Sequence, residues 1–247
     1  MDRAVRNAFL LSGGAGAAAA SYWGIGAAVS PPVRRMLAPW VLSRVRTEAP
    51  DVALTFDDGP DPRYTERFIE ALGAARATFF VLGERARRWP SLIKEIVEAG
   101  HEIACHGDSH VSMARMGPFA ARQALDRAHH TIAEVAGAPP AFYRPAFGCF
   151  TTAAWIHPPR LGMRRTLWTA WARDWVPGTP GVTIAHRILR RASAGAIFLL
   201  HDSGTTEAPA ATLAALPTIL DGLGERGLRS VRLDALVQHE HAVRVGP

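Results

Sequence analysis

From Asp51 to Leu236 the chain alternates short apolar runs with amphipathic stretches, and the apolar runs stop at polar or ionisable residues. No other feature narrows the fold as much. A strand buried on both faces reads as a continuous apolar run, and the helix that covers it reads as a stripe at 3.6-residue spacing. Val52–Phe56, Ala77–Leu82, His101–Cys105, Phe142–Arg144, Arg165–Ala170, Ala196–Leu200 and Leu228–Leu233 read as strands. Between them, helices are expected over Thr65–Ala75, over a stretch through Leu92, Ile93, Ile96 and Val97 to a stop at Gly100, and over Pro118–Ala136. Three more follow at Thr152–Leu161, disrupted by Pro158-Pro159, at Thr183–Ala194, and at Leu213–Arg226 with a bend at Pro217. Such alternation specifies βαβ units with parallel pairing. The expected fold is an α/β barrel of seven such units, with an open doubly wound sheet as the alternative.

A parallel barrel carries its reactive side chains at the C-terminal ends of its strands. Reading only those ends gives Asp57 and Asp58, then His106 and His110, then Arg144, then Asp174 and Trp175, then His201 and Asp202. Singly, each has a bland explanation: Asp-Asp-Gly is usually a turn, and one H-x-x-x-H pair is weak. Together they compose a hydrolytic metal site. Two imidazoles four residues apart can reach one ion, a carboxylate completes a three-ligand set, and a catalytic zinc keeps a further position for water. Adjacent aspartates need not share a role: one can bind the cation while the other accepts a proton. Arg144 would hold that second carboxylate, and His201, across the site, would protonate the leaving group.

Composition removes other classes. The 247 residues carry a net charge of +6, almost all of the positive charge as scattered arginines, with Lys94 the single lysine. No basic stripe interleaved with aromatics emerges, which argues against nucleic acid as a partner. No glycine-rich phosphate loop occurs. The two cysteines, Cys105 and Cys149, are too few for a disulfide scaffold; whether they pair stays open. Upstream, no charge occurs from Asn7 to Val33, a run longer than the ~20 helical residues that cross a bilayer core. Arg3, Arg6, Phe9-Leu10-Leu11 and the Ala17–Ala20 run fit a signal peptide, while the length fits an uncleaved anchor. Residues 1–50 are therefore expected to form an apolar signal or anchor segment with linker, 51–236 the catalytic domain and 237–247 a tail, in an exported or membrane-anchored protein. A buried or interfacial hairpin is the alternative for the apolar run.

The strand-end residues, in their order, resemble the polysaccharide deacetylases of carbohydrate esterase family four, the NodB-homology domain. Thr55-Phe56-Asp57-Asp58-Gly59-Pro60 is similar to the family's first motif and is the most specific. His106-Gly107-Asp108-Ser109-His110, Arg144-Pro145-Ala146-Phe147-Gly148, Arg173-Asp174-Trp175 and Leu199-Leu200-His201-Asp202 resemble the other four. The resemblance implies a distorted (β/α)₇ barrel that removes N-acetyl groups from amino sugars of a cell-envelope or chitin-like glycan. It implies Asp58, His106 and His110 as ligands of one divalent metal, zinc first, with cobalt, nickel or manganese as alternatives. Asp57 would be the general base, positioned by Arg144, and His201 the general acid, with Asp174 its partner. Phe147 would bring a backbone N–H to the oxyanion, and Trp175 and Leu199 would wall the acetyl pocket. One departure stands out: three residues before the Asp-Trp pair, where the family often has an acid, this chain has Trp171. Two rival functions remain open. One is a deformylase or deacetylase of a lipid-linked sugar on the same barrel. The other is a silent glycan-binding barrel using Trp171 and Trp175 as stacking platforms.

Overall fold

A computed structural model describes residues 37–204 and 208–242. Strand β1 (Asp51–Asp57) is buried along its whole length and lies in the middle of the sheet. Its alternate residues serve two layers, which is why the run from Val52 to Phe56 is mainly apolar. Val52, Leu54 and Phe56 face an outer core beneath the helices, and Ala53 faces an inner one. The same face as Ala53 carries Thr55 and then Asp57.

The other strands are β2 (Ala77–Val81), β3 (Glu102–Cys105), β4 (Phe142–Tyr143), β5 (Arg164–Arg165), β6 (Ala170–Trp171), β7 (Ile197–His201) and β8 (Arg229–Ser230). Their order is β5-β4-β3-β2-β1-β7-β6, all pairs are parallel, and β8 pairs with the first two residues of β1. The helices are α1 (Thr65–Leu72), α2 (Gly83–Arg88), α3 (Pro90–Glu98), α4 (Pro118–Ala136), α5 (Thr152–Arg160), α6 (Gly181–Leu189), α7 (Ala208–Gly224) and α8 (Leu233–Ala242). The fold is the distorted β/α barrel expected, with a curled sheet in place of the open alternative.

Several elements differ from the sequence reading, each for a physical reason. The strand expected at Arg165–Ala170 is two short ones, because the backbone between them finds other partners. Leu42 inserts there, donating to the Arg165 carbonyl and accepting from Leu167 N–H, while the Leu167 carbonyl accepts from Arg144. The helix expected to break at Pro158-Pro159 runs on to Arg160. Proline lacks the N–H that would bond four residues back. For Pro159 the orphaned acceptor is the Trp155 carbonyl, and the Arg165 guanidinium donates to it at 3.2 Å while lying 4.1 Å above the Trp155 ring. The helix expected through Leu92 and Val97 to Gly100 is α3, opened by Pro90, and a short helix that was not expected, α2, precedes it.

Two pieces close the barrel. Leu42 bridges to Thr166 and Arg44 to Ala196, just before β7, with Val45 N–H bonded to the Gly195 carbonyl at 2.9 Å. Leu233 and Leu236 of α8 join Leu42, Val45, Ala53, Phe80, Ala104, Phe142 and Ile197 in the inner core. The apolar run Asn7–Val33, with its expectation of export or anchoring, lies outside the described residues. Among those described, no helix is long and apolar enough to cross a membrane.

Candidate metal and hydrolytic site

The site begins where β1 stops. Thr55 and Asp57 point into the barrel, and there they meet Arg144, which follows β4. The Arg144 guanidinium is fully buried and donates to Asp57 Oδ1 at 2.5 Å, to Thr55 Oγ1 at 2.8 Å and to the Leu167 carbonyl at 3.0 Å. It rests 3.9 Å from the centroid of the Phe80 ring. Removing one partner of a buried pair leaves the other uncompensated, so this geometry is strongly enforced. One oxygen of Asp57 is thereby fixed, and the other, Oδ2, lies 3.8 Å from His106 Nδ1.

Asp58 leaves the strand with φ +78, a left-handed backbone that a non-glycine residue rarely adopts. Its carboxylate thereby joins a different set of partners. Oδ1 lies 3.3 Å from His106 Nε2 and 3.4 Å from His110 Nε2. These three donor atoms lie within 4.8 Å of one another, and Asp58 Oδ1 is buried without a hydrogen bond. An orphaned carboxylate oxygen between two imidazole nitrogens fits a divalent cation, and an N, N, O set suits several such ions. Burial alone would raise the Asp58 carboxyl, but the close approach and charge of His106, with the charges of His201 and His110, hold it well below the usual carboxylate range. Burial pushes His110 downward, toward the neutral form that ligates. The histidine loop is pinned by Asp108, which pairs with Arg87 at 2.8 Å and with Arg127 at 3.2 Å.

On the neighbouring strand, His201 is the register partner of Asp57. Asp174 holds it twice: Oδ1 lies 3.0 Å from Nδ1, and Oδ2 accepts the His201 backbone N–H at 2.8 Å. Thr212 on α7 donates to the same Oδ2 at 2.8 Å. Burial disfavours the imidazolium, yet the charge and hydrogen bond of Asp174, with Asp58 and Asp57, push His201 up to about 10. Trp175 meets the imidazole edge-on at 5.4 Å, and Leu199 lies two residues earlier on β7. Phe147, at φ +61 and largely exposed, places its ring 4.5 Å from His110. Every non-glycine residue described with a left-handed backbone, namely Asp58, Phe147 and Arg173, lies in or beside this site. Strain of this kind persists where function holds it.

All ten expected site residues thus gather at one end of the barrel, in two groups: Asp57, Asp58, His106, His110 and Arg144 on one side, with Phe147 against His110, and His201, Asp174, Trp175 and Leu199 on the other. Sequence reasoning missed Leu167 and Thr212, which support the site through a carbonyl and a hydroxyl and lie in no motif, and gave Thr55, the first residue of the first motif, no role of its own. Asp202, read at a strand end but given no role, is buried, accepts from Thr65 at 3.0 Å and packs so closely on Gly59 that any side chain there would collide with it. Cys105 and Cys149 are not joined in a disulfide, and burial pushes the Cys105 thiol up to about 12.

Fold and site together define a class: a parallel β/α barrel with a candidate cation site, Asp58, His106 and His110, at its strand ends. The polysaccharide deacetylase family model matches residues 44–165. A peptidoglycan-N-acetylglucosamine deacetylase of Bacillus cereus is 34% identical over 77% of this chain and 89% of its own length. A chitooligosaccharide deacetylase of Sinorhizobium fredii is 33% identical over 74% of this chain and 90% of its own. Among solved structures, the acetyl xylan esterase of Clostridium thermocellum in complex with a cobalt ion superposes with a TM-score of 0.68 at 32% identity, covering 76% of this chain and 90% of that one. The chain belongs to the polysaccharide deacetylase family.

Proposed function

We propose that this protein is a metal-dependent N-deacetylase that removes acetyl groups from N-acetylglucosamine units of a cell-envelope or chitin-like glycan. The observation that carries the reading is the divergence of two consecutive carboxylates, Asp57 onto Arg144 and Asp58 onto the histidine pair. The names of the relatives, peptidoglycan and chitooligosaccharide deacetylases, support the substrate class.

Asp58, His106 and His110 would hold the cation, with zinc favoured by the donor set and cobalt, nickel and manganese as alternatives. When bound, the cation supplies Lewis-acid polarisation of the acetamide carbonyl and lowers the pKa of water. Asp57 acts as the base: Arg144 fixes Oδ1 and leaves Oδ2 to accept the proton of the attacking water. His201, held protonated by Asp174 at neutral pH, donates to the departing amine as the C–N bond breaks. The Phe147 backbone N–H would serve the developing oxyanion. Trp175 and Leu199 wall the side on which the acetyl methyl is held. Export or anchoring through Asn7–Val33 is part of the proposal, since the substrate lies outside the cell membrane.

The test is acetate release from a panel of N-acetylated glycans, with and without chelator. Asp57→Asn is expected to retain metal and lose about 10²–10⁴-fold in kcat. Asp58→Asn is expected to lose metal. A silent binding barrel would release no acetate from any member of the panel, and full activity in Asp57→Asn would remove it as the base.

A further inference from the structure

Trp171 stands where relatives of this family often carry an acid, and the geometry gives that position another task. Asp174 already satisfies His201 at both the imidazole and the backbone, and Thr212 completes its own bonding. The Trp171 indole lies instead in a row of three. It stacks on Trp168 at 5.6 Å with 25° between the planes, and meets Trp175 edge-on at 5.1 Å. Trp175 in turn meets His201.

The two ends of this row differ. Trp168 is buried and jammed against Gly148, where an added Cβ would come 2.5 Å from its ring, and it lies 5.8 Å from the Arg144 guanidinium. Trp171 is the last residue of β6, with Leu199 as its register partner on β7, so its backbone is fixed by the sheet. Trp175 has neither support. It sits in the loop after β6, two residues beyond the left-handed Arg173, and is only partly buried. An indole on a loop keeps its place only through what packs against it.

We propose that Trp171 is a positioning residue for the deacetylation described above: braced by Trp168, it fixes Trp175 edge-on to His201 and so sets the wall of the cleft beside the proton donor. The inference rests on that functional reading for its kinetic consequence, but its structural core is measurable without turnover. The Trp175 ring shifts the His201 imidazole proton resonances by its ring current, and Trp175→Ala supplies the reference for its absence. Trp171→Leu, which keeps apolar volume without a ring, is expected to move those resonances most of the way to the Trp175→Ala positions. Trp171→Phe is expected to hold them near wild type.

In kinetics on acetylated chitooligosaccharide, Trp171→Leu is expected to lower kcat about tenfold with a smaller change in KM, and Trp171→Phe to restore kcat to within about twofold. His201 resonances unmoved in Trp171→Leu would overturn the proposal. So would a Trp171→Asp variant faster than wild type, which would mark the tryptophan as a lost acid. If the wild-type protein itself releases no acetate, the deacetylase reading fails, and the resonance shifts still decide whether Trp171 is the brace.

Discussion

Asp57 and Asp58 are consecutive, yet strand alternation delivers the first to Arg144, and a left-handed backbone delivers the second to His106 and His110. His201 faces them from the next strand with its own carboxylate behind it. The charge of that imidazole is therefore a property of the folded state. Its pKa rises from an ordinary 6.5 to about 10 on folding, so the folded protein holds a proton that the unfolded chain gives up. The resulting stabilisation is complete below pH 6.5, erodes as pH rises from there toward 10, and is gone above. Metal-free wild-type protein should accordingly melt several degrees lower at pH 10 than at pH 6.5, each kcal/mol being worth about 2–4 °C in a domain of this size. His201→Asn should show a shallower decline across the same window. Parallel melting curves for the two proteins over that range would contradict the assignment.

At the scale of elements, what could be read from the sequence was whatever packing writes into hydrophobic pattern. β1 and β2 are buried throughout and β7 up to His201, and all three read as mainly apolar runs. Eight of the ten site residues were legible because each ends such a run or sits in the loop beyond it, while Phe147 and Leu199 came only from the family resemblance. β5 and β6 were not, because their split depends on Leu42, more than a hundred residues away, occupying the bonds between them. The continuity of α5 through two prolines was equally hidden, since it rests on Arg165 reaching the Trp155 carbonyl. The same long-range closure makes Gly195 a sensitive position. It adopts φ +76, and a Cβ there would run into the Val45 carbonyl oxygen. Gly195→Ala should cost at least the ~1–2 kcal/mol of a left-handed alanine, and more because backbone rather than a flexible side chain must move. Gly162→Ala, at φ +78 with nothing near its Cβ, isolates the backbone part. Denaturant midpoints for the two variants that coincide would show that the Val45 contact carries no weight.

For the molecule as a whole, the barrel is closed by chain that lies before its first strand. Leu37, Val41, Leu42 and Val45 are all buried, the first two in the outer core and the last two in the inner one. Arg44 donates to Ser193 Oγ and to the Ala194 carbonyl, each at 2.8 Å, tying the same segment to the approach to β7. Burying four such aliphatic side chains is worth about 6–12 kcal/mol at ~1.5–3 kcal/mol each. A domain's net stability is only about 5–15 kcal/mol. A chain beginning at Leu37 should therefore fold, bind one divalent ion and unfold cooperatively. A chain beginning at Asp51 keeps every strand and every site residue, yet loses these buried side chains and the bridges that fill the seam between the edge strands β5 and β6, so it should not settle into one stable fold. Its circular dichroism should retain part of the helical signal with no cooperative melting transition, and its metal content should be far below one ion per chain. Cooperative unfolding of the Asp51 chain with a full metal complement would show instead that the strands close without the Leu37–Val45 segment, and that the catalytic end of the barrel does not depend on how its seam is filled.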